Sequence, residues 1–231
     1  MLLLFDIDGT LLLRASDAHR DAIHAALREV HGVRDPGALR GIDPSGRTDG
    51  EIARAILLAH GVSAERIDDR RAAVEEAACR AYVELCPPEL ASAVSPGMGE
   101  LLAELADRPR VASLALLTGN FEPVARLKLA RAGLGRFFAR GQGAFGSDGE
   151  DRAGLPAIAR CRAGHDGAPH PRERTLIIGD TPRDIACARA DGVRCVAVAT
   201  GRFSESELAD ADAVARDARA LAPLLETMLA G

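Results

Sequence analysis

Two aspartates follow directly after a short apolar run near the start of the chain. Residues 2–5 are all apolar, and Asp6 and Asp8 come next, with Gly9 behind them. A run this short is typical of a central strand of a parallel sheet, and ligands of open α/β sheets bind where such strands end. Two carboxylates this close repel by about 4 kcal/mol at a protein-like dielectric. We therefore expect a cation or a shared proton beside Asp6 and Asp8.

Two later apolar runs also end in polar residues. The runs at 111–117 and 175–179 lead into a second group of candidate residues: Thr118, Gly119, Asn120, Asp180 and Asp184. Because parallel strands end at one edge of a sheet, we expect this group to meet the first two aspartates there. Four carboxylates and a hydroxyl form an oxygen-only ligand set, which suits Mg²⁺ and leaves room for a phosphate oxygen.

These residue types suit phosphoryl transfer through a covalent intermediate. Attack by a carboxylate on a phosphoryl group splits one difficult step into two, and Asp6 at the strand tip is the candidate nucleophile. Asp8 is the candidate acid that protonates the leaving alcohol and the base that then activates water. Thr118 and the backbone amides of Gly119 and Asn120, at a helix N-terminus, are candidates for binding the transferring phosphoryl oxygens.

The three motifs resemble those of the haloacid dehalogenase superfamily, in particular its phosphoglycolate-phosphatase and β-phosphoglucomutase-like branch. The segments that carry the resemblance are Asp6-Ile7-Asp8-Gly9-Thr10, Leu116-Leu117-Thr118-Gly119 and Gly179-Asp180-Thr181-Pro182-Arg183-Asp184. The resemblance implies a Rossmann-like core, Mg²⁺, Asp6 as nucleophile and Asp8 as acid/base. It also implies that Asp6, the Asp8 carbonyl and Asp180 bind the metal, with Asp184 supporting. Dehalogenation is disfavoured, because dehalogenating members lack the second aspartate.

One feature of that branch, a Lys-Pro pair a little after the third strand, is missing here. Two residues are candidates for the charge-balancing cation. Arg152 lies where the lysine would fall, at a helix start near the active edge. Lys128 has the expected chemistry but lies roughly 10 Å from its helix start, so its side chain would have to lean back toward the N-terminus. Both residues remain candidates.

The pattern of elements predicts a two-part α/β protein. Residues 14–93 contain helical patterns and no convincing strand, which predicts an all-helical cap inserted into a core of residues 1–13 and 94–231. Within this cap, the segment 45–49 either presents Arg47 to the substrate or only leads into a helix. In the core, strands alternate with helices, which predicts right-handed βαβ units and a Rossmann-like parallel sheet.

The predicted elements are as follows. We expect helices at 16–31, near 52–57, through 72–85, and at 97–106, 124–132, 153–163, 182–190 and 221–229. We expect strands at 2–5, 111–117, 175–179 and 193–198, and a short strand starting at Phe137-Phe138.

Composition and charge exclude several partners. The net charge is −5 and the basic residues are scattered among acids, which argues against nucleic acid. No apolar stretch approaches the length of a membrane span, and the first apolar run lacks the basic flank of a signal peptide. The five cysteines form no close pair, so we expect free thiols in the cytoplasm. The histidines, including His19, complete no metal-ligand set.

Together these features predict a Mg²⁺-dependent phosphatase of a small phosphomonoester, of the phosphoglycolate type, that works through an aspartyl phosphate. The cap would close over the substrate and exclude water. One alternative is a phosphosugar mutase, which returns the phosphoryl group to a substrate hydroxyl. Another is a catalytically idle regulatory or binding protein on the same scaffold, suggested by the missing Lys-Pro pair. The expected partner is a small phosphate ester, and the expected assembly is a monomer or homodimer.

Overall fold

A five-stranded parallel sheet forms the centre of the computed structural model, which describes residues 1–36 and 42–230. The strands are β1 (Leu2–Phe5), β2 (Ser113–Leu116), β3 (Thr175–Gly179), β4 (Arg194–Val198) and β5 (Ala213–Ala215). Their order is β2-β1-β3-β4-β5, and every neighbouring pair is parallel. The strands that precede the three polar motifs are therefore adjacent, with β1 in the middle.

Both faces of β1 are buried, as its uninterrupted apolar sequence predicts. Leu3 and Phe5 belong to the hydrophobic cluster on one face of the sheet, and Leu2 and Leu4 belong to the cluster on the other. The register pairs Phe5 with Leu116 on one side and with Ile178 on the other, so the three strands end at nearly the same level.

Eight α-helices lie in the described part of the chain. They are α1 (Asp17–His31), α2 (Asp49–Ala59), α3 (Ala64–Leu85), α4 (Met98–Ala106), α5 (Glu122–Arg131), α6 (Leu155–Arg162), α7 (Pro182–Asp191) and α8 (Ala218–Ala230). The predicted fold class, a Rossmann-like parallel α/β sheet with helices inserted after the first strand, is confirmed. None of the helices among these residues combines the length and apolar character needed to cross a membrane.

Three helices, α1, α2 and α3, pack together outside the sheet; we call them the insert helices. Their apolar sides face one another, with Ile23 and Leu27 of α1 buried in the same cluster as Val74 and Ala78 of α3. The helix α3 also contacts α5, so the hydrophobic cluster continues from the insert helices into one face of the sheet layer.

Some predicted elements were wrong or incomplete. The predicted strand at Phe137-Phe138 is a short 3₁₀ turn, Gly135–Phe137, and the Phe138 ring instead packs edge-on against Phe5 with ring centroids 6.2 Å apart. The helix expected at 153–163 begins with a separate 3₁₀ turn, Arg152–Gly154. The sequence pattern also missed β5, which is only three residues long.

Candidate active site

The turn after β1 is tight, and its backbone lies close to the Asp180 side chain. Gly9 has a φ of +94°, and a Cβ at this position would overlap the Asp180 carboxylate. The backbone N–H groups of Leu11 and Leu12 both donate to the carbonyl of Ile7, at 2.9 and 2.8 Å. Only glycine combines this backbone conformation with so little space, so the turn fixes Asp6 and Asp8 beside the end of β3.

Three buried carboxylates form a cluster that could hold a metal ion. One oxygen from each of Asp6, Asp180 and Asp184 lies within 4.8 Å of the others. Burial, together with the neighbouring carboxylates, raises the pKa of Asp180 to about 8. Burial also raises the pKa of Asp6 to about 7, although Arg152 opposes the shift. A hard divalent cation would reduce the repulsion between these buried carboxylates, so the three residues fit a divalent metal ion.

The Asp184 side chain both caps a helix and pairs with Arg152. Its Oδ2 accepts hydrogen bonds from the backbone and hydroxyl of Thr181, at 3.0 and 2.7 Å, which completes a capping box at the start of α7. Its Oδ1 points toward Arg152 and pairs with its guanidinium. Helix capping therefore fixes the side chain that completes the acidic cluster.

Arg152 is the cation beside the candidate nucleophile. It lies in the 3₁₀ turn before α6, is only 6% exposed, and donates from Nη2 to Asp6 Oδ1 at 2.8 Å and to Asp184 Oδ1. Burial alone would lower the pKa of Arg152, but the carboxylates of Asp184 and Asp6 outweigh it and raise the pKa. The guanidinium therefore stays charged and offsets part of the negative charge of the cluster.

The Lys128 side chain also reaches the site, where it contacts Asp8 rather than Asp6. Its side chain leans back along α5, is 0% exposed, and donates from Nζ to the two carboxylate oxygens of Asp8 at 2.8 and 2.6 Å. Burial would raise the pKa of Asp8, but the Lys128 ammonium and hydrogen bonds from Lys128 and Asn120 lower it. The pKa values of Asp6 and Asp8 are thus moved in opposite directions, a pattern typical of carboxylates with different roles.

The loop after β2 connects the acidic edge to the insert helices. The Thr118 hydroxyl accepts from the backbone N–H of Asn120 at 3.3 Å, and the Asn120 side chain donates from Nδ2 to Asp8 Oδ2 at 3.0 Å. The Gly119 carbonyl accepts from the backbone N–H of Asp49 at 2.8 Å. A Cβ at Gly119 would overlap the Arg47 carbonyl oxygen, so this contact requires glycine.

Arg47 lies in the cavity wall, in a segment that also begins a helix. Its Nε donates to the Asp43 carbonyl at 2.9 Å, and its guanidinium pairs with Glu51. The Thr48 hydroxyl accepts from the backbone N–H of Glu51 at 3.1 Å and so caps α2. The segment 45–49 therefore leads into a helix, as one interpretation predicted, and a role of Arg47 in substrate binding stays a prediction.

A cavity of about 360 Å³ lies above this edge of the sheet, a volume suited to a small ligand. The acidic edge and the loop after β2 form one side, and α1 with the segment 44–47 forms the other. Two further arginines, Arg14 and Arg20, also line the cavity, together with His24.

The family of the chain follows from a comparison with known families. A family model described as haloacid dehalogenase-like hydrolase matches residues 3–189. The chain belongs to this family. No curated protein sequence matches the chain at a significant level.

Solved structures of this fold include several haloacid dehalogenase-like proteins. A provisional β-phosphoglucomutase from Bacteroides vulgatus is 18% identical with a TM-score of 0.68, and the match covers 99% of this chain and 88% of that one. A predicted phosphoglycolate phosphatase from Haemophilus somnus is 19% identical with a TM-score of 0.64, over 98% and 96% of the two chains. A CbbY variant from Rhodobacter sphaeroides, in complex with xylulose-1,5-bisphosphate, is 20% identical with a TM-score of 0.62, over 94% and 93%. At these identities the likeness establishes the fold.

In this haloacid dehalogenase-like hydrolase, the candidate residues meet at one edge of the sheet. Eight of them line the cavity: Asp6, Asp8, Arg47, Thr118, Gly119, Asn120, Arg152 and Asp180. The other two lie directly behind, Asp184 against Arg152 and Lys128 against Asp8.

Sequence reasoning missed two further residues in the lining of the cavity, His19 and Asp49. His19 Nδ1 lies 3.1 Å from Lys128 Nζ, and its Nε2 lies 2.9 Å from Asp49 Oδ2. In the sequence, only two features could have pointed to them: a histidine near the apolar side of α1 and an acidic residue in the first turn of α2.

Proposed function

We propose that this protein is a Mg²⁺-dependent phosphatase that hydrolyses a small phosphomonoester, of the phosphoglycolate type, through an aspartyl phosphate on Asp6. The observation that carries the proposal is that Asp6 pairs with a buried cation, Arg152, and forms one acidic cluster with Asp180 and Asp184. Membership of the haloacid dehalogenase-like hydrolases and the small cavity support it.

The first step forms a bond between Asp6 and phosphorus and breaks the bond from phosphorus to the ester oxygen. Arg152 binds Oδ1 of Asp6, which leaves Oδ2 for attack. Thr118 and the amides of Gly119 and Asn120 bind the phosphoryl oxygens. The protonated form of Asp8 gives its proton to the leaving alkoxide.

The second step releases inorganic phosphate. The Asp8 carboxylate takes a proton from water, the water oxygen attacks phosphorus, and the bond to Asp6 breaks. Lys128 lowers the pKa of Asp8, which favours the carboxylate that this step needs and makes protonated Asp8 a stronger acid in the first step. Asp6, the Asp8 carbonyl and Asp180 would hold Mg²⁺, with Asp184 supporting; when bound, the ion screens the repulsion between the carboxylate and the phosphoryl oxygens.

We further infer that residues 14–93 act as a movable cap on a core of residues 1–13 and 94–231. An apolar contact joins α3 to α5, whereas several contacts between these two parts near the cavity are polar. Thr48 donates to the Glu150 carbonyl at 2.7 Å, and Arg183 donates to the Ser45 carbonyl at 2.5 Å. Opening of the cap would break these polar contacts near the cavity, and closure excludes water from the phosphoryl group.

A phosphosugar mutase is the second candidate. The observation that favours it is the presence of two further arginines, Arg14 and Arg20, in the lining of the cavity. These residues suit a ligand that carries a second negative group, as a sugar bisphosphate does. A mutase would require a bisphosphate activator and would release little inorganic phosphate. The idle-protein alternative is disfavoured, because all four aspartates are present and a buried cation, Arg152, pairs with Asp6 although the Lys-Pro pair is missing.

The test is phosphate release from a panel of phosphate esters with and without Mg²⁺, including p-nitrophenyl phosphate and sugar phosphates with and without a bisphosphate activator. We expect Mg²⁺-dependent release that Asp6→Asn abolishes. The matched control is Asp69→Asn, because Asp69 is exposed on α3 and is not in the lining of the cavity. Release that survives in Asp6→Asn refutes the nucleophile. Isomerised sugar phosphate without phosphate release favours the mutase.

A further inference from the structure

The ammonium of Lys128 is fully buried and has a complete set of hydrogen-bond partners. An ammonium has three hydrogens to donate, and Nζ has three acceptor groups around it. Besides the Asp8 carboxylate, these are Asn120 Oδ1 at 2.9 Å and His19 Nδ1 at 3.1 Å. Asp8 and Asn120 come from the sheet edge, whereas His19 comes from α1.

The hydrogen bonds of His19 have a defined direction. Because an ammonium only donates, Nδ1 of His19 accepts, and the ring proton is on Nε2. Nε2 therefore donates to Asp49 Oδ2 at 2.9 Å. The same Asp49 oxygen accepts from the backbone N–H of Phe121 at 2.8 Å, at the start of α5. The ring of His19 also packs edge-on against Tyr82, with centroids 5.7 Å apart.

These bonds form a buried chain from two insert helices to the candidate acid/base. Asp49 of α2 holds His19 of α1, His19 holds Lys128 of α5, and Lys128 holds both oxygens of Asp8. Buried ionic groups of this kind often add less stability than apolar side chains of the same volume. Stability alone is therefore a weak explanation for a chain that ends on Asp8.

We propose that Lys128 and His19 are positioning residues that fix the orientation of the Asp8 carboxylate, and that packing of α1 and α2 against α5 completes this arrangement. The proposal rests on the proposed phosphatase function. When α1 and α2 move away, Lys128 loses one of its three acceptors and water reaches its ammonium, so Asp8 is held in place only while the cavity is covered.

Two substitutions of His19 separate positioning from packing. His19→Gln keeps an acceptor for Lys128 and a donor for Asp49, whereas His19→Leu has a similar volume and neither group. We expect His19→Leu to lower kcat about 10-fold, as loss of a supporting partner typically does. The KM should stay within about threefold, because both ring nitrogens of His19 already have protein partners. His19→Gln should retain most of the activity.

A double-mutant cycle tests whether His19 acts through Lys128. Lys128→Met should lower kcat about 100-fold, the cost of misplacing a reacting group by about 1 Å. In the Lys128→Met background, His19→Leu should then have almost no further effect. Arg160→Met is the matched control, because Arg160 is a buried cation paired with Asp191 away from the cavity. It should leave kcat unchanged at temperatures where the variant stays folded.

The outcomes are distinguishable. If the wild-type protein releases no Asp6-dependent phosphate, the proposed function fails and this inference fails with it. If the wild type is active but His19→Leu and His19→Gln behave alike, or the effects of His19→Leu and Lys128→Met multiply, the positioning chain is refuted and the phosphatase stands.

Discussion

Removal of the buried cation beside Asp6 should make the protein depend on Mg²⁺ for its stability. Arg152→Met keeps much of the side-chain volume and removes the charge that bridges Asp6 and Asp184. The three carboxylates of the acidic cluster, with Asp180, then lie together without a neighbouring cation among the described residues that contact them.

The size of the effect follows from the distances. Two charges 4.8 Å apart repel by about 3 kcal/mol at an effective dielectric of 20. Loss of one partner of a buried ion pair typically costs about 3–5 kcal/mol of unfolding free energy. Asp6 and Asp180 can take up protons instead, because their pKa values are already raised to about 7 and about 8. We therefore expect the lower end of the range, about 3 kcal/mol at neutral pH.

Urea unfolding with a chelator and with excess Mg²⁺ measures this effect. Mg²⁺ should stabilise Arg152→Met more than it stabilises the wild type, because the ion replaces part of the lost positive charge. Arg160→Met should lose a similar amount of stability and show no extra response to Mg²⁺, since its partner Asp191 lies outside the acidic cluster. The reasoning is refuted if the two variants respond equally to Mg²⁺, or if Arg152→Met loses less than about 1 kcal/mol in chelator.

Two further predictions concern metal binding and the contact at the loop after β2. In the metal-free protein Asp6 and Asp180 bind protons near neutral pH, so Mg²⁺ must displace them, and its affinity should rise from pH 6 to pH 8. Calorimetry in buffers of different ionisation enthalpy should detect protons released at pH 7; equal heats would contradict the pKa values. Gly119→Ala should lower activity at least 10-fold, because the added methyl overlaps the Arg47 carbonyl. Gly99→Ala, with open space around it, is the control, and equal activities would refute the contact.

The central strands could be predicted from the sequence because their burial leaves a clear pattern. The runs at 2–5 and 175–179 coincide with β1 and β3, since a strand covered on both faces must be apolar throughout. The three-residue β5 has too few residues to produce such a pattern. The aromatic pair Phe137-Phe138 resembles the start of a strand. The chain instead forms a turn there, and the Phe138 ring is buried against Phe5.

The candidate site was predictable as far as topology determines it. Adjacent parallel strands bring their C-terminal residues to one edge, which is why Asp6 and Asp180 meet although they are far apart in sequence. The partners of Lys128 depend on how α1 is rotated about its own axis and where it lies on α5. Residue spacing within either helix carries no information about that placement, so His19 and Asp49 were missed.

The contact between Gly119 and the segment before α2 has a consequence for altering ligand preference. Main-chain atoms form much of this boundary, since the Asp49 amide donates to the Gly119 carbonyl and the Arg47 carbonyl occupies the space that a side chain would need. Side chains elsewhere on the cavity wall, such as Arg14 and His24, take no part in it. A combinatorial library at those two positions could therefore change which ligand binds, while the contact between Gly119 and the segment before α2 is kept.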